Sequence, residues 1–75
     1  MKPLIRNNIR DLRATHGLTQ QDLADRIHVT RQTVNAIELD KYSPSLEVAF
    51  RIAQVFDVPL DQVFQYVSPT PRRKQ

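Results

Sequence analysis

The chain has no cysteine and a single glycine, Gly17, among its 75 residues. Without cysteine it has neither disulfides nor thiolate metal sites to reinforce a core, and the absence fits a reducing compartment. One glycine cannot make a glycine-rich loop of the kind that cradles phosphates. No stretch approaches the roughly 18 consecutive apolar residues of a membrane span, and no signal-peptide pattern opens the chain, so a cytoplasmic protein is expected. Excess charge is scarce as well. Eleven Lys or Arg face eight Asp or Glu, but residues 1–71 hold eight of each, so the whole excess comes from Arg72, Arg73 and Lys74. Net charge is thus weak evidence for a nucleic-acid partner, and placement of charge has to decide.

Groups suited to catalysis are also missing. His16 and His28 fall on separate elements, and no third metal ligand recurs at helical spacing. Asp22 and Asp25 share one side of a helix, where an exposed acid pair is more often a solvated face than a site. Neither an enzyme nor a bound metal or cofactor is expected.

What the chain does have is the stretch Thr19 to Glu38, TQQDLADRIHVTRQTVNAIE. Thr19 is a helix N-cap, with Asp22 three positions on as its capping-box partner. Leu23, Ala24 and Ile27 then repeat as a single buried helix face requires. Thr30 is a second N-cap, and Val34 and Ile37 are the buried pair of the helix behind it. Only about two residues, His28 and Val29, separate the helices. Joined so tightly they cannot lie antiparallel, so they cross steeply as a helix-turn-helix.

With Val34 and Ile37 inside, the second of these helices leaves Arg31, Gln32, Thr33, Asn35 and Ala36 outside, and Glu38 is its first acid. Arg and Gln make planar, bidentate hydrogen bonds to guanine and adenine edges, and a helix fits the major groove. The plain alternative is an ordinary solvated face. The tight turn, the paired caps and the small Ala24 favour DNA.

The remainder predicts a compact all-helical domain over residues 1–67, near the lower size limit for a self-sufficient core. Leu4, Ile5, Ile9 and Leu12 give a first helix with one apolar stripe, stopped near Gly17, with His16 in its last turn. Tyr42-Ser43-Pro44 is a turn, and Ser45 caps a fourth helix. That helix is apolar except for a stripe of Glu47, Arg51 and Gln54. Asp57-Val58-Pro59 ends it, and Leu60 to about Tyr66 makes a short fifth helix. No strand pattern is evident. Residues 68–75, SPTPRRKQ, read as a basic, Pro-containing tail. The fourth helix is more apolar than one contact face needs, which two burials would explain, the domain core and a partner subunit; a central helix in so small a bundle, surrounded by its own chain, would explain it equally well.

The segments IRDLRATHGLTQQDLA, VTRQTVNAIE and YSPSLEVAFRIAQVFDVPLDQVF, in that order and spacing, resemble the phage-repressor and Cro-like, or xenobiotic-response-element (XRE), helix-turn-helix family of small bacterial, archaeal and phage regulators. The resemblance runs from about Ile5 to Phe64. It implies a lambda-repressor-like bundle of five short helices, the second and third forming the DNA-reading unit. By resemblance, Arg31, Gln32 and Thr33 match positions that reach base edges, and Ala36 a base-facing position that here offers at most a methyl contact. Gln20, Thr30, Lys41 and Tyr42 match positions that meet DNA phosphates, Asn35 one near the phosphates or the outer bases, and Arg10 is a candidate for the far strand. Arg13 and Glu38 match a partly buried ion pair of relatives, a structural role in which breaking one half costs about 3–5 kcal/mol. Val63, Phe64, Tyr66 and Val67 are the residues expected at a homodimer interface, with Leu60 in the core.

Two positions depart from the family pattern. The turn glycine between the two DNA-reading helices is replaced by His28, a residue that tolerates positive φ at some cost in strain. The usual Asn-Gly after the recognition helix is Leu39-Asp40. Asp40 can take a left-handed conformation, but it adds a negative charge beside the phosphate grip. The expected function is sequence-specific binding of a palindromic double-stranded operator by a dimeric transcriptional regulator acting as a repressor. The rival is a protein-interaction module of the same fold, such as an antitoxin-like partner; the polar recognition face favours DNA.

Overall fold

Each of the three central helices begins where a hydroxyl can receive its free N–H groups. In the computed structural model, which describes residues 4–67, Thr19 Oγ1 accepts from Asp22 N–H while Asp22 Oδ2 accepts from Thr19 N–H, a complete capping box. Thr30 Oγ1 accepts from Thr33 N–H and Ser45 Oγ from Val48 N–H. These caps open α2 (Gln20–Ile27), α3 (Arg31–Glu38) and α4 (Leu46–Phe56), each satisfying a donor that helix geometry leaves free. The chain also contains α1 (Ile9–His16) and the single turn α5 (Leu60–Val63).

Four of these helices end on a left-handed residue, yet the chain has one glycine. Gly17 has φ 69°, and His28, Asp40 and Asp57 have φ 64°, 61° and 56°. After α1, α3 and α4 the next N–H groups close a Schellman motif, as in Gly17 N–H to Ala14 O and Leu18 N–H to Arg13 O. Three non-glycine residues thus sit in a conformation that disfavours a Cβ.

The apolar faces meet in one core. Ile9 of α1, Leu23 and Ile27 of α2, Val34 and Ile37 of α3, Ile52 and Phe56 of α4 and Val63 of α5 are all at most 2% exposed. Ala24 is fully buried, and its small side chain lets α3 cross close to α2. Leu60 packs half-buried against the same core, and the His16 ring tilts against Phe56 with centroids 5.1 Å apart. The result is the all-α, five-helix bundle with its helix-turn-helix at α2 and α3.

Both ends of the bundle depart from the sequence expectation. Leu4 and Ile5 do not extend the first helix: Ile5–Asn7 is a strand, β1, antiparallel to β2 (Phe64–Tyr66), with Ile5 opposite Tyr66 and Asn7 opposite Phe64. Asn7 is the physical cause at the first end. Its Oδ1 accepts from Ile9 N–H at 3.1 Å, an Asx turn that competes with helix. The fifth helix accordingly stops at Val63 rather than near Tyr66, because Phe64-Gln65-Tyr66 pairs with a strand almost sixty residues earlier. A three-residue strand is too short to announce itself by alternation.

Among the described residues no helix is long and apolar enough to cross a membrane. The basic segment 68–75, with Arg72, Arg73 and Lys74, lies outside the described residues.

Candidate nucleic-acid interface

Burial of Val34 and Ile37 turns the opposite side of α3 outward. Arg31, Gln32 and Asn35 are exposed there, with Thr33 and Ala36 half-buried at its margin. Gln32 makes no hydrogen bond to another described residue, so both ends of its amide are free for a ligand. Arg31 lies at the helix start, its Nε at the margin of hydrogen-bond distance, 3.5 Å, from Gln20 Oε1. The Thr33 hydroxyl shares a 2.9 Å hydrogen bond with Thr30 Oγ1.

A polar network fixes this helix on α1 and α2. Arg13 Nε and Nη2 donate to the two carboxylate oxygens of Glu38 at 2.5 and 3.2 Å, and Arg13 Nη1 donates to Leu18 O at 3.0 Å. The two side chains are only 16% and 6% exposed. The planar guanidinium meets the carboxylate two-on-two, the geometry that makes such pairs strong and directional. Gln20 Nε2 adds hydrogen bonds to Glu38 Oε1 and Asn35 Oδ1. The acid that ends α3 is therefore enclosed and paired, and leaves the outward face free of acidic groups.

Gln20 and Asn35 divide differently than their positions suggested. Both N–H groups of the Gln20 amide are already donated within the protein, so its side chain has no free donor for a phosphate. Its backbone N–H, in the first turn of α2, belongs to those with no intrahelical acceptor. Asn35 accepts through Oδ1 and keeps its amide N–H groups free among the described residues.

Lys41 and Tyr42 are exposed just beyond α3, and Arg10 is exposed on α1. The charge of Asp40 beside Lys41 is tempered: Arg6 Nε lies 3.2 Å from Oδ2 and Asn7 Nδ2 2.9 Å from Oδ1. Arg6 and Asn7 escaped the sequence reading, since both contacts close over more than thirty residues. Arg51 escaped it too. Its Nη2 holds Glu47 at 2.7 Å, and its Nη1 donates to Ile27 O at 3.2 Å, bracing the end of α2 at the left-handed His28.

The expected dimer residues separate into two groups. Val63 is fully buried in its own core and has no surface to give a partner, a correction caused by α5 turning it inward. Phe64 is half-buried. Tyr66 is 70% exposed, and Val67, Ile5 and Leu4 about two-fifths exposed, together forming an apolar patch on and beside the two-stranded sheet. Leu46 and Phe50 expose a second apolar edge on α4.

Among the described residues no group of His, Asp or Glu could hold a metal ion. A helix-turn-helix family model matches residues 9–63. The chain is similar to an HTH-type transcriptional regulator of Methanocaldococcus jannaschii, 48% identical over 62 residues that make up 83% of this chain and 94% of the relative. It is also similar to the transcriptional repressor RstR of cryptic phage CTXphi in Vibrio cholerae, 35% identical over 57 residues, 76% of this chain and 51% of that one. The crystal structure of a Bacteroides fragilis protein, described as DNA-binding, matches with a TM-score of 0.74 over 81% of this chain and 98% of its own; at 23% identity the likeness shows the fold alone. An outward polar helix braced on a helix-turn-helix, together with these matches, leads to one conclusion: the chain belongs to the XRE/Cro-like helix-turn-helix family of DNA-binding transcriptional regulators.

Proposed function

We propose that this regulator binds a palindromic operator as a homodimer and represses transcription there. The observation that carries the reading is the outward face of α3, where Arg31, Gln32 and Asn35 are exposed while Glu38 is enclosed by Arg13 and Gln20. Arg31 and Gln32 read base edges in the major groove. Thr33 and Ala36 contribute methyl contacts beside them. Asn35, Lys41, Tyr42 and Thr30 meet the phosphates of the half-site, with Arg10 on the far strand, and Gln20 contributes its backbone N–H.

One short helix buries little surface on DNA and discriminates poorly against competing sites. Two copies related by a two-fold axis add their contacts, with half-sites about 34–36 Å apart. The exposed apolar groups at the two-stranded sheet support such self-association: Ile5, Phe64 and Tyr66 share one of its faces, Val67 extends its edge, and clustered exposed apolar groups mark interaction surfaces. Occlusion of the promoter is enough for repression, and the similarity to a phage repressor supports that sign.

Hydroxyl-radical footprinting on a duplex enriched for binding tests this reading. Two protected patches one helical turn apart on one face of the DNA are expected. A single protected patch would contradict the dimer, and uniform protection would contradict sequence reading.

A further inference from the structure

Asp40 carries the turn that follows α3, with φ 61°. Aspartate tolerates this left-handed conformation but does not favour it as glycine does. The turn closes by Asp40 N–H donating to Ile37 O at 3.0 Å and Lys41 N–H to Ala36 O at 2.9 Å. A carbonyl has two lone pairs, and the second on Ile37 is taken from outside: Asn7 Nδ2 donates to it at 2.8 Å. The same nitrogen donates to Asp40 Oδ1 at 2.9 Å, and Arg6 Nε takes Oδ2. Asn7 therefore grips both the end of the recognition helix and the strained residue after it.

Asn7 is itself held firmly. Its Oδ1 accepts from Ile9 N–H at 3.1 Å, which orients the amide with its nitrogen toward the two acceptors. Its backbone lies in β1 opposite Phe64, and the neighbouring Asn8 donates to Val63 O and Gln62 O. The clamp thus ties the sheet to the two residues, Lys41 and Tyr42, that follow Asp40.

We propose that Asn7 is a positioning residue for DNA binding: it holds the Asp40 turn in the one shape that presents Lys41 and Tyr42 to the phosphates. This rests on the role proposed above for Lys41. Asn7 is uncharged, half-buried and spends both amide N–H groups inside the protein, so it acts through the turn rather than on DNA. A group pre-arranged before binding loses less freedom on contact. Releasing the turn dilutes the contribution of the Lys41 cation, and with it the counterions that binding releases.

The test is equilibrium binding of the full chain to an enriched duplex across a salt series, for wild type, Asn7→Ser, Lys41→Ala and the double variant. Serine can still accept from Ile9 N–H and keep the start of α1, but it is too short to reach Ile37 O and Asp40. Asn7→Ser is expected to weaken binding roughly two- to tenfold, the range of a lost hydrogen bond. It should also lower the salt slope by up to about one unit, and on top of Lys41→Ala it should add only the smaller share of its loss that acts through Tyr42. If Lys41→Ala leaves the slope at the wild-type value, the role given to Lys41 fails, and the inference built on it falls with it. If Lys41→Ala lowers the slope but Asn7→Ser leaves it unchanged, Asn7 is merely structural and only the inference is overturned. A loss that adds in full to that of Lys41→Ala overturns it likewise. Should Asn7→Ser fold too weakly, as urea titration would reveal, Asn7→Thr serves the same comparison with the same outcomes.

Discussion

Gln20 Nε2 lies 3.0 Å from Glu38 Oε1 and 3.1 Å from Asn35 Oδ1, so one amide in the first turn of α2 joins both the last turn and the outer face of α3. Together with Arg13 it surrounds a carboxylate that would otherwise face DNA. The two helices of the motif are thereby locked in their mutual angle by polar contacts as well as by the packing of Ala24, Val34 and Ile37.

Loss of the Glu38 charge should therefore cost far more than loss of a surface charge. Glu38→Gln leaves Arg13 largely buried and unpaired, at about 3–5 kcal/mol. Glu47→Gln removes an i,i+4 partner of Arg51 whose side chain is 74% exposed, a change of about 0–1 kcal/mol. Urea midpoints measured side by side decide. Equal shifts would remove the buried pair from the stability of the fold.

His28→Gly should stabilise the protein. The φ of 64° at His28 strains an L-residue, and no hydrogen bond of its side chain to a described residue is lost. Relief of strain exceeds the added flexibility of the unfolded chain by up to about 1 kcal/mol. A higher melting temperature with unchanged DNA affinity is the expected pair of results. Weakened DNA binding at unchanged stability would instead give His28 a contact with the backbone.

The capping box of α2 predicts a pH dependence. Asp22 is held below its ordinary value of 3.8 by hydrogen bonds from the backbone and side chain of Thr19, with a smaller contribution from Arg26. A depressed folded-state pKa means that the ionised form supports the fold. That contribution is fully present above the unfolded value, near 3.9, and is lost as pH falls through the lower folded value. The stability gap between wild type and Asp22→Ala should hold from about pH 7 to 5 and narrow below about pH 4. A gap indifferent to pH over that range would show that Asp22 acts only by helix propensity.

Val67→Glu should drive the protein toward monomer while its far-ultraviolet circular dichroism stays unchanged, because a buried unpaired charge is costly at an interface. Leu46→Glu, on the exposed apolar edge of α4, is the matched control. Sedimentation in which Leu46→Glu dissociates the protein and Val67→Glu does not would move the interface from the sheet to α4.

Much of this was legible because it is local. Thr19 with Asp22, Thr30 and Ser45 announce their helices by capping chemistry, Gly17 ends one, and the 3.6-residue rhythm of Leu23, Ala24 and Ile27 gives the buried face. What escaped is non-local. Ile5 reads as part of a helical stripe until Tyr66 pairs with it, and Val63 reads as surface until the chain turns into β2. Asn7, next to the start of α1, gives no sign that it will hold Asp40, 33 residues away. The family resemblance supplied the pairing of Arg13 with Glu38, but not the third partner, Gln20, whose amide is spent on Glu38 and Asn35.

Site selection from random duplex DNA, run in parallel with wild type and Gln32→Ala, tests the reading of DNA by α3 most directly. Wild type should enrich a two-fold symmetric motif with half-sites one helical turn apart. Gln32→Ala should lose preference at one position in each half-site, costing roughly 1–3 kcal/mol on the wild-type motif and little on random DNA. The remaining positions should stay as they were. Enrichment of the same motif by both proteins would remove Gln32 from base reading, and no enriched motif from wild type would contradict sequence recognition by this helix altogether.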